Sequence, residues 1–230
     1  MSSNAGSRKC EAVLELGLSA DARRLILALY GEMPDEPSAA DSSGNLISES
    51  HPSFDTVLRQ HHRKVYNLIY RLLGDLDEAA DLTQETFVKA YGAYPRFRGR
   101  SQAIYPWLCQ IAVNGCKNKF RELGRRNQYE VLSLDESVET EDSSLGIQIA
   151  DESANPAELV TQHELEAKIQ EAIQALPPEY RVVIVLRDMN GLSYREIADA
   201  TGLTMDTVKV RLFRARGVLR KRLSQYISDS

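Results

Sequence analysis

Apolar positions along this chain recur at helical spacing almost throughout. In FDTVLRQHHRKVYNLIYRLL (54–73), Val57, Val65, Leu68, Ile69 and Leu72 fall on one stripe, and Gly74 stops the run. Asp77 is placed to cap the next predicted helix, EAADLTQETFVKAYGAY (78–94), which ends before Pro95. PRFRGRSQAIY (95–105) reads as a basic loop. Pro106 suits the first turn of a third helix, WLCQIAVNGCKNKFREL (107–123), with an end near Gly124. Further on, HELEAKIQEAIQAL (163–176) is helical until Pro177 and Pro178 break it. EYRVVIVLRDM (179–189) is β-branched enough to pass for a strand, yet its length and helical neighbours predict a buried helix.

Two stretches lack a sustained period. Residues 125–155 are acidic and Ser-rich, the pattern of a linker. At the other end, LSADARRLILALYGEM (18–33) fits one amphipathic helix, with Ser19 as cap and Leu25 and Leu29 on a common face; a packing accessory and a disordered tail are equally open, and no function is assigned to it. PDEPSAADSSGN (34–45) after it reads as a flexible linker. The expected fold is all-α: a leader over 1–50, a helical domain over 53–123, an acidic linker over 124–156 and a second helical domain over 157–223. On such a tether the two domains would have no fixed spacing until a partner holds them.

Composition sharpens this picture through the distribution of charge. The 230-residue chain has a net charge of -5, which by itself argues against a polyanion as partner. Residues 51–123, however, carry 11 Lys/Arg against 7 Asp/Glu, and residues 191–223 carry 8 against 3. Residues 124–160 reverse the balance, with 2 against 9. Two basic blocks on either side of an acidic strip suit two surfaces for nucleic acid. Cys10, Cys109 and Cys116 form no CxxC pair and no zinc spacing, so no metal site is expected. No apolar run approaches a membrane span and no signal-peptide core follows the N-terminus, which predicts a cytoplasmic protein without membrane insertion.

GLSYREIADATGLTMDTVKVRLFRAR (191–216) carries the clearest chemistry, that of a helix-turn-helix. Ala198 is small where a second helix would cross, and Gly202 tolerates the positive φ of the turn. Ile197, Leu203 and Val208 supply a shared core, and Thr204 can cap the second helix. Winding that helix puts Met205, Val208, Leu212, Ala215 and Leu219 on the buried face. Thr207, Val210, Phe213 and Arg214 fall opposite, flanked by Lys209 and Arg211. Guanidinium and apolar groups on one outward face suit the major groove, where Arg meets guanine acceptors and apolar groups meet thymine methyls.

Two further faces stand out. Trp107, Asn114, Lys117, Asn118 and Arg121 share one side of the third helix, a set fit for unpaired bases and phosphates, although Trp107 alone could equally be core. Asp81, Gln84 and Glu85 share a face beside Phe87 and Val88, suited to docking on a basic protein surface. Two carboxylates without a nearby His, Lys or metal ligand make no acid/base pair, and no Gly-rich phosphate loop is present, so no catalytic residue and no cofactor is expected.

In this order the motifs resemble the sigma-70 family, and within it the extracytoplasmic-function (ECF, group IV) sigma factors of bacterial RNA polymerase. DLTQETFVKAYGAYPRFRG resembles the region 2 signature DxxQExFxxAYxxxxxFRG, and WLCQIAVNGCKNKFR resembles the WLxxIAxNxxxNxxR helix of that region. LPPEYRVVIVLRDMNGLSYREIADATGLTMDTVKVRLFRAR resembles region 4 almost throughout. Between Gly99 and Trp107 the chain carries one residue more than FRGxSxFxTWL, and Pro106 stands where Thr is usual.

The resemblance implies a non-enzymatic factor that binds core RNA polymerase, recognises promoters and helps to melt the start site. Asp81, Gln84, Glu85 and Phe87 would face the clamp helices of the polymerase's largest subunit, with region 4 on its flap. Trp107, Asn114, Lys117 and Asn118 would border the melted −10 strand. Thr207, Lys209, Val210, Arg211 and Arg214 would read the −35 element, with Tyr194 and Arg195 near phosphates. An anti-sigma factor is an expected further partner. A stand-alone regulator using the same helix-turn-helix, and a decoy that binds an anti-sigma factor without core, are the rival readings.

Overall fold

The computed structural model describes residues 20–30, 51–132 and 156–228. Cys10, Ser19, the 34–45 stretch and most of the acidic strip lie outside the described residues. The elements are α1 (Ala20–Tyr30), α2 (Phe54–Leu73), α3 (Leu76–Ala93), α4 (Ile104–Leu132), α5 (Pro156–Gln174), α6 (Pro178–Ile184), α7 (Tyr194–Thr201) and α8 (Met205–Ser228). Short 3₁₀ turns at Tyr94–Arg96 and Ser101–Ala103 lead into α4, and a π-helical turn at Val185–Met189 continues α6. Among the described residues there is no strand, as the apolar spacing required.

Local signals account for most of the boundaries. The Ser53 hydroxyl accepts the Thr56 N–H to start α2, and Gly74, at φ 82°, lets the chain leave it. The next cap is Asp75, not Asp77: its carboxylate accepts the Glu78 N–H at 2.8 Å, so α3 begins two residues earlier than expected. Helix α4 does not stop near Gly124 but runs on to Leu132. A single interior glycine costs a helix only about 1 kcal/mol, too little to end one that is otherwise well formed. The 179–189 run is helical and wholly buried from Arg181 to Met189, which settles the strand-like composition in favour of burial.

Packing departs furthest from the expectation. The two helical domains are present, but they are not separate bodies with free spacing. One continuous apolar core runs from Val57, Leu68 and Leu72 through Leu108 and Val113 to Ile169, Ile184, Ile197 and Leu219. Polar side chains stitch the seam. Arg181 is its centre: it donates to the Leu72 carbonyl at 2.7 Å, the Gln174 side-chain oxygen at 2.6 Å, the Leu176 carbonyl at 3.1 Å and the Gln174 carbonyl. Those carbonyls belong to the last turn of α2 and to the end of α5, where helices carry unpaired acceptors and partial negative charge. A buried guanidinium thus ties two helix C-termini from different domains. Burial holds its pKa below the ordinary arginine value. Around it, Arg71 donates to Gln170, Gln174 donates to the Arg71 carbonyl, and the Tyr105 hydroxyl reaches the Asn190 side-chain oxygen at 2.5 Å.

Candidate nucleic-acid interface

The helix-turn-helix forms as its spacing dictates. The Ser193 hydroxyl and the Glu196 carboxylate exchange hydrogen bonds with each other's backbone N–H, a capping box that starts α7. Gly202 sits at φ 71° and donates to the Ala198 carbonyl at 2.8 Å, which turns the chain towards α8. The Thr204 hydroxyl then accepts the Thr207 N–H at 3.2 Å to cap α8. Ile197, Val208, Leu212, Ala215 and Leu219 are buried, and the stripe continues to Leu223. Met205 is the exception: it is the first helical residue and 47% exposed, because the buried stripe begins only at Val208.

Opposite that stripe, α8 presents Val210 at 49% and Phe213 at 78% exposure, with Lys209 and Arg214 exposed beside them and Thr207 and Arg211 half-buried. An aromatic ring left so open in water is costly unless something covers it. Arg195 is exposed at the start of α7, but Tyr194 is not: it is buried, with the Arg187 guanidinium 4.7 Å and the Lys209 ammonium 5.8 Å from its ring centroid. Tyr194 therefore positions Lys209 from beneath, and its ring is not presented to solvent.

One basic residue of this region has a structural task that spacing did not reveal. Arg216 makes a two-point contact with Asp188, Nε to Oδ2 at 2.9 Å and Nη2 to Oδ1 at 2.7 Å, locking α8 onto the π-helical turn. The available signal was Asp188 itself, a carboxylate inside an apolar run that had to find a cation.

The α4 face is arranged differently. Asn114 and Asn118 are exposed, and Arg121 donates to Asn118 at 3.1 Å. Trp107 is half-buried in an aromatic cluster, its ring centroid 4.9 Å from Phe97 and 6.2 Å from Tyr94. Lys117 turns inwards and donates to the Thr201 carbonyl at 2.6 Å, at the end of α7. There it lines a cleft of about 280 Å³ between the domains, together with Phe120, Arg121, Thr201 and Arg211. Partial burial and the nearby Arg121 and Arg211 charges lower its pKa. In this arrangement Lys117 of one predicted reading face and Arg211 of the other share a single cleft.

On α3, Asp81, Gln84 and Glu85 are exposed on one side, with Val88 at 72% and Tyr91 at 66% exposure continuing the face. Phe87 is the correction. It is 6% exposed and packs edge-on against Phe54, so it supports the face from below and does not form part of it. Tyr91, which takes that outward place one helical turn on, was not singled out by the sequence reading. Burial raises Cys109 and Cys116 to about 12, which leaves both as inert core thiols. No group of residues among those described could hold a metal ion, and no helix among them is long and apolar enough to cross a membrane.

Comparison with known proteins follows the same division. The family model for Sigma-70 region 2 matches residues 57–126, and that for Sigma-70, region 4 matches residues 166–219. The chain is 36% identical over 180 residues to the RNA polymerase sigma-H factor of Pseudomonas aeruginosa, covering 77% of this chain and 90% of that protein. It is 33% identical over 202 residues to the ECF RNA polymerase sigma factor SigE of Mycolicibacterium smegmatis, covering 86% and 73% respectively. Among solved structures it is similar to the sigma factor RpoE of Bartonella quintana in complex with the anti-sigma factor NepR, with TM-score 0.55 and 25% identity over 74% of this chain and 96% of that one. CnrH in complex with the cytosolic domain of CnrY shares the fold, with TM-score 0.51 and 22% identity over 90% of this chain and 99% of that one.

Proposed function

Because the chain belongs to the sigma-70 family of RNA polymerase sigma factors, in its extracytoplasmic-function branch, we propose specific roles for the faces described above. As a member of that family it binds core RNA polymerase, directs it to promoters and carries out no catalysis of its own. Residues 53–123 act as region 2 and residues 157–223 as region 4, with the acidic stretch between α4 and α5 as the linker that threads the RNA-exit region of the polymerase. The α8 face reads the −35 element through Thr207, Lys209, Val210, Arg211 and Arg214, with Arg195 on phosphate. Trp107, Asn114, Lys117 and Asn118 border the melted −10 strand. Asp81, Gln84 and Glu85 dock on the largest subunit, and Val88 and Tyr91 extend that contact.

The observation that carries this reading is the outward face of α8. The helix buries a full apolar stripe and still leaves Val210 and Phe213 bare beside Arg214, which is the composition of a groove-reading surface and not of a solvated one. The reading places the protein in the cytoplasm, where polymerase and promoters are. The sigma factor RpoE, of similar fold, is seen with an anti-sigma partner, which supports such a partner here as well.

A pull-down with core polymerase, followed by promoter-dependent transcription, tests the whole reading. Glu85→Lys sharpens it. Among the described residues the exposed Glu85 forms its ion pair with Lys89 on the same helix, so the variant folds, but a like charge then meets a basic surface and core affinity falls about tenfold. A folded variant that competes for core as well as the parent would move the docking face elsewhere. Specific promoter binding by the free chain would favour the stand-alone regulator.

A further inference from the structure

Helix α1 lies outside both matched spans, 57–126 and 166–219, yet it is built into region 4. Ala22, Leu25 and Leu29 are buried in the continuous core. Arg220 of α8 donates twice to the Leu29 carbonyl, at 3.0 and 2.8 Å, and so caps the negative end of α1. At the other side the Arg24 guanidinium lies against Gly191, so close that a Cβ there would stand 2.3 Å from Nη2. Gly191 is also at φ 73°, so the position that makes the turn also makes the seat.

Region 4 presents three faces. The outward side of α8 is open and suits DNA, and the side bearing Arg181 and Asn190 closes on region 2. The third, formed by the π-helical turn and α8, is the face under α1, where leucines are buried and a cation is aimed at a helix C-terminus. The helix seated on it, α1, belongs to neither matched span. Left bare, such an apolar stripe is a surface that proteins cover with a partner. The partner that this family must engage is core polymerase.

We propose that α1 is a cis-acting competitor for core polymerase, occupying a helix-receiving face of region 4 that the polymerase takes over in the holoenzyme. The covalent geometry permits the exchange. Residues 31–53 separate α1 from α2, and a chain of that length spans up to about 75–80 Å when extended, so α1 can leave its seat without disturbing either domain. This inference rests on the reading of the chain as a core-binding sigma factor.

The full chain tests it by hydrogen exchange, alone and in complex with core polymerase. The amides of α1 are protected in the free chain and lose that protection in the holoenzyme. In parallel, Leu25→Glu and Leu29→Glu each place a carboxylate in the buried seat and release α1, while leaving both matched spans untouched. These variants gain roughly fivefold or more in core affinity, the lower range of ordinary coupling between sites. Protection of α1 that survives core binding overturns the proposal, whether or not the variants fold. Unchanged core affinity in folded variants overturns it equally. A parent chain that fails to bind core at all would instead overturn the sigma-factor reading, and this inference with it.

Discussion

On the α8 face, Val210, Phe213 and Arg214 are exposed among the described residues. On the α4 face, Lys117 is bonded to the Thr201 carbonyl and Trp107 is packed among Phe97 and Tyr94. Both faces carry the same pattern, polar and aromatic residues sharing one side of a helix. They end in opposite states, one presented and one partly folded away. The reason is which neighbour each helix meets. Helix α8 packs its stripe against α1, α5, α6 and α7 and leaves its other side exposed among the described residues, whereas α4 lies among α2, α3 and α7. On the assignment proposed above, the −35 reader is preformed, while the −10 reader becomes fully available only when region 4 moves off region 2. The seam itself keeps Lys117 and Arg211 in one cleft.

The largest break in this comparison is Arg181→Ala. It leaves the Leu72 and Leu176 carbonyls buried without their donor and should cost about 3 kcal/mol of stability in urea unfolding. A loss below about 1 kcal/mol would mean that the seam contributes little and that the domains are effectively independent.

Next in size is Arg214→Ala on the open face. Specific transcription from cognate −35 sequences should lose about 2 kcal/mol of recognition, with the melting temperature unchanged. Equal use of −35 variants by parent and mutant would remove Arg214 from the reading face.

Lys117→Met separates the two roles of one residue. In the free chain it removes one bond to Thr201 but also a partly desolvated charge beside Arg121 and Arg211, so stability should change by less than about 1 kcal/mol. In the holoenzyme the same variant should weaken open-complex formation, read by permanganate reactivity of the melted strand. A large stability loss with normal melting would make Lys117 purely structural.

The smallest expected effect is a pH dependence at the seam. His61 stacks on Tyr105, whose hydroxyl holds Asn190, and burial followed by the Lys64 charge lowers its pKa below the usual 6.5. A folded value below the unfolded one means that the stability tied to neutral His61 is complete above 6.5. It is lost as pH falls from there through the folded value. The urea midpoint should therefore drop between about pH 7 and pH 5.5, and the drop should shrink in His61→Phe. The same drop in the variant would assign it to other groups.

Much of this molecule was legible residue by residue. The helix-turn-helix needed only local rules: a left-handed Gly202, a threonine cap at 204, and apolar positions at helical spacing, to which the structure adds a capping pair at Ser193 and Glu196. Each acts within about four residues, so the sequence alone determined α7, α8 and the outward placement of Val210, Phe213 and Arg214. Asp81, Gln84 and Glu85 were placed outward for the same reason, as Leu82, Thr83, Thr86 and Phe87 turn to the core on the other side. Where a local reading failed it failed narrowly, as with Asp75 for Asp77 and with Phe87, whose aromatic bulk fits a docking face and a core equally well until a neighbour such as Phe54 is present.

Only the tertiary structure decided the rest. No spacing in the sequence links Arg181 to the carbonyls of Leu72, Lys117 to Thr201, Tyr105 to Asn190, or Arg220 to Leu29, because these partners lie about 80 to 190 positions apart. Backbone carbonyls are acceptors in every residue, so which of them a buried cation will find depends on which helix ends the packing brings within reach. Charge counts distinguished basic blocks from the acidic strip, but not a cation that reads DNA from one that closes the fold. Arg214 and Arg216 stand two residues apart on one helix. One faces solvent and the other grips Asp188, because two residues turn a helix by about 200° and the core lies on only one side.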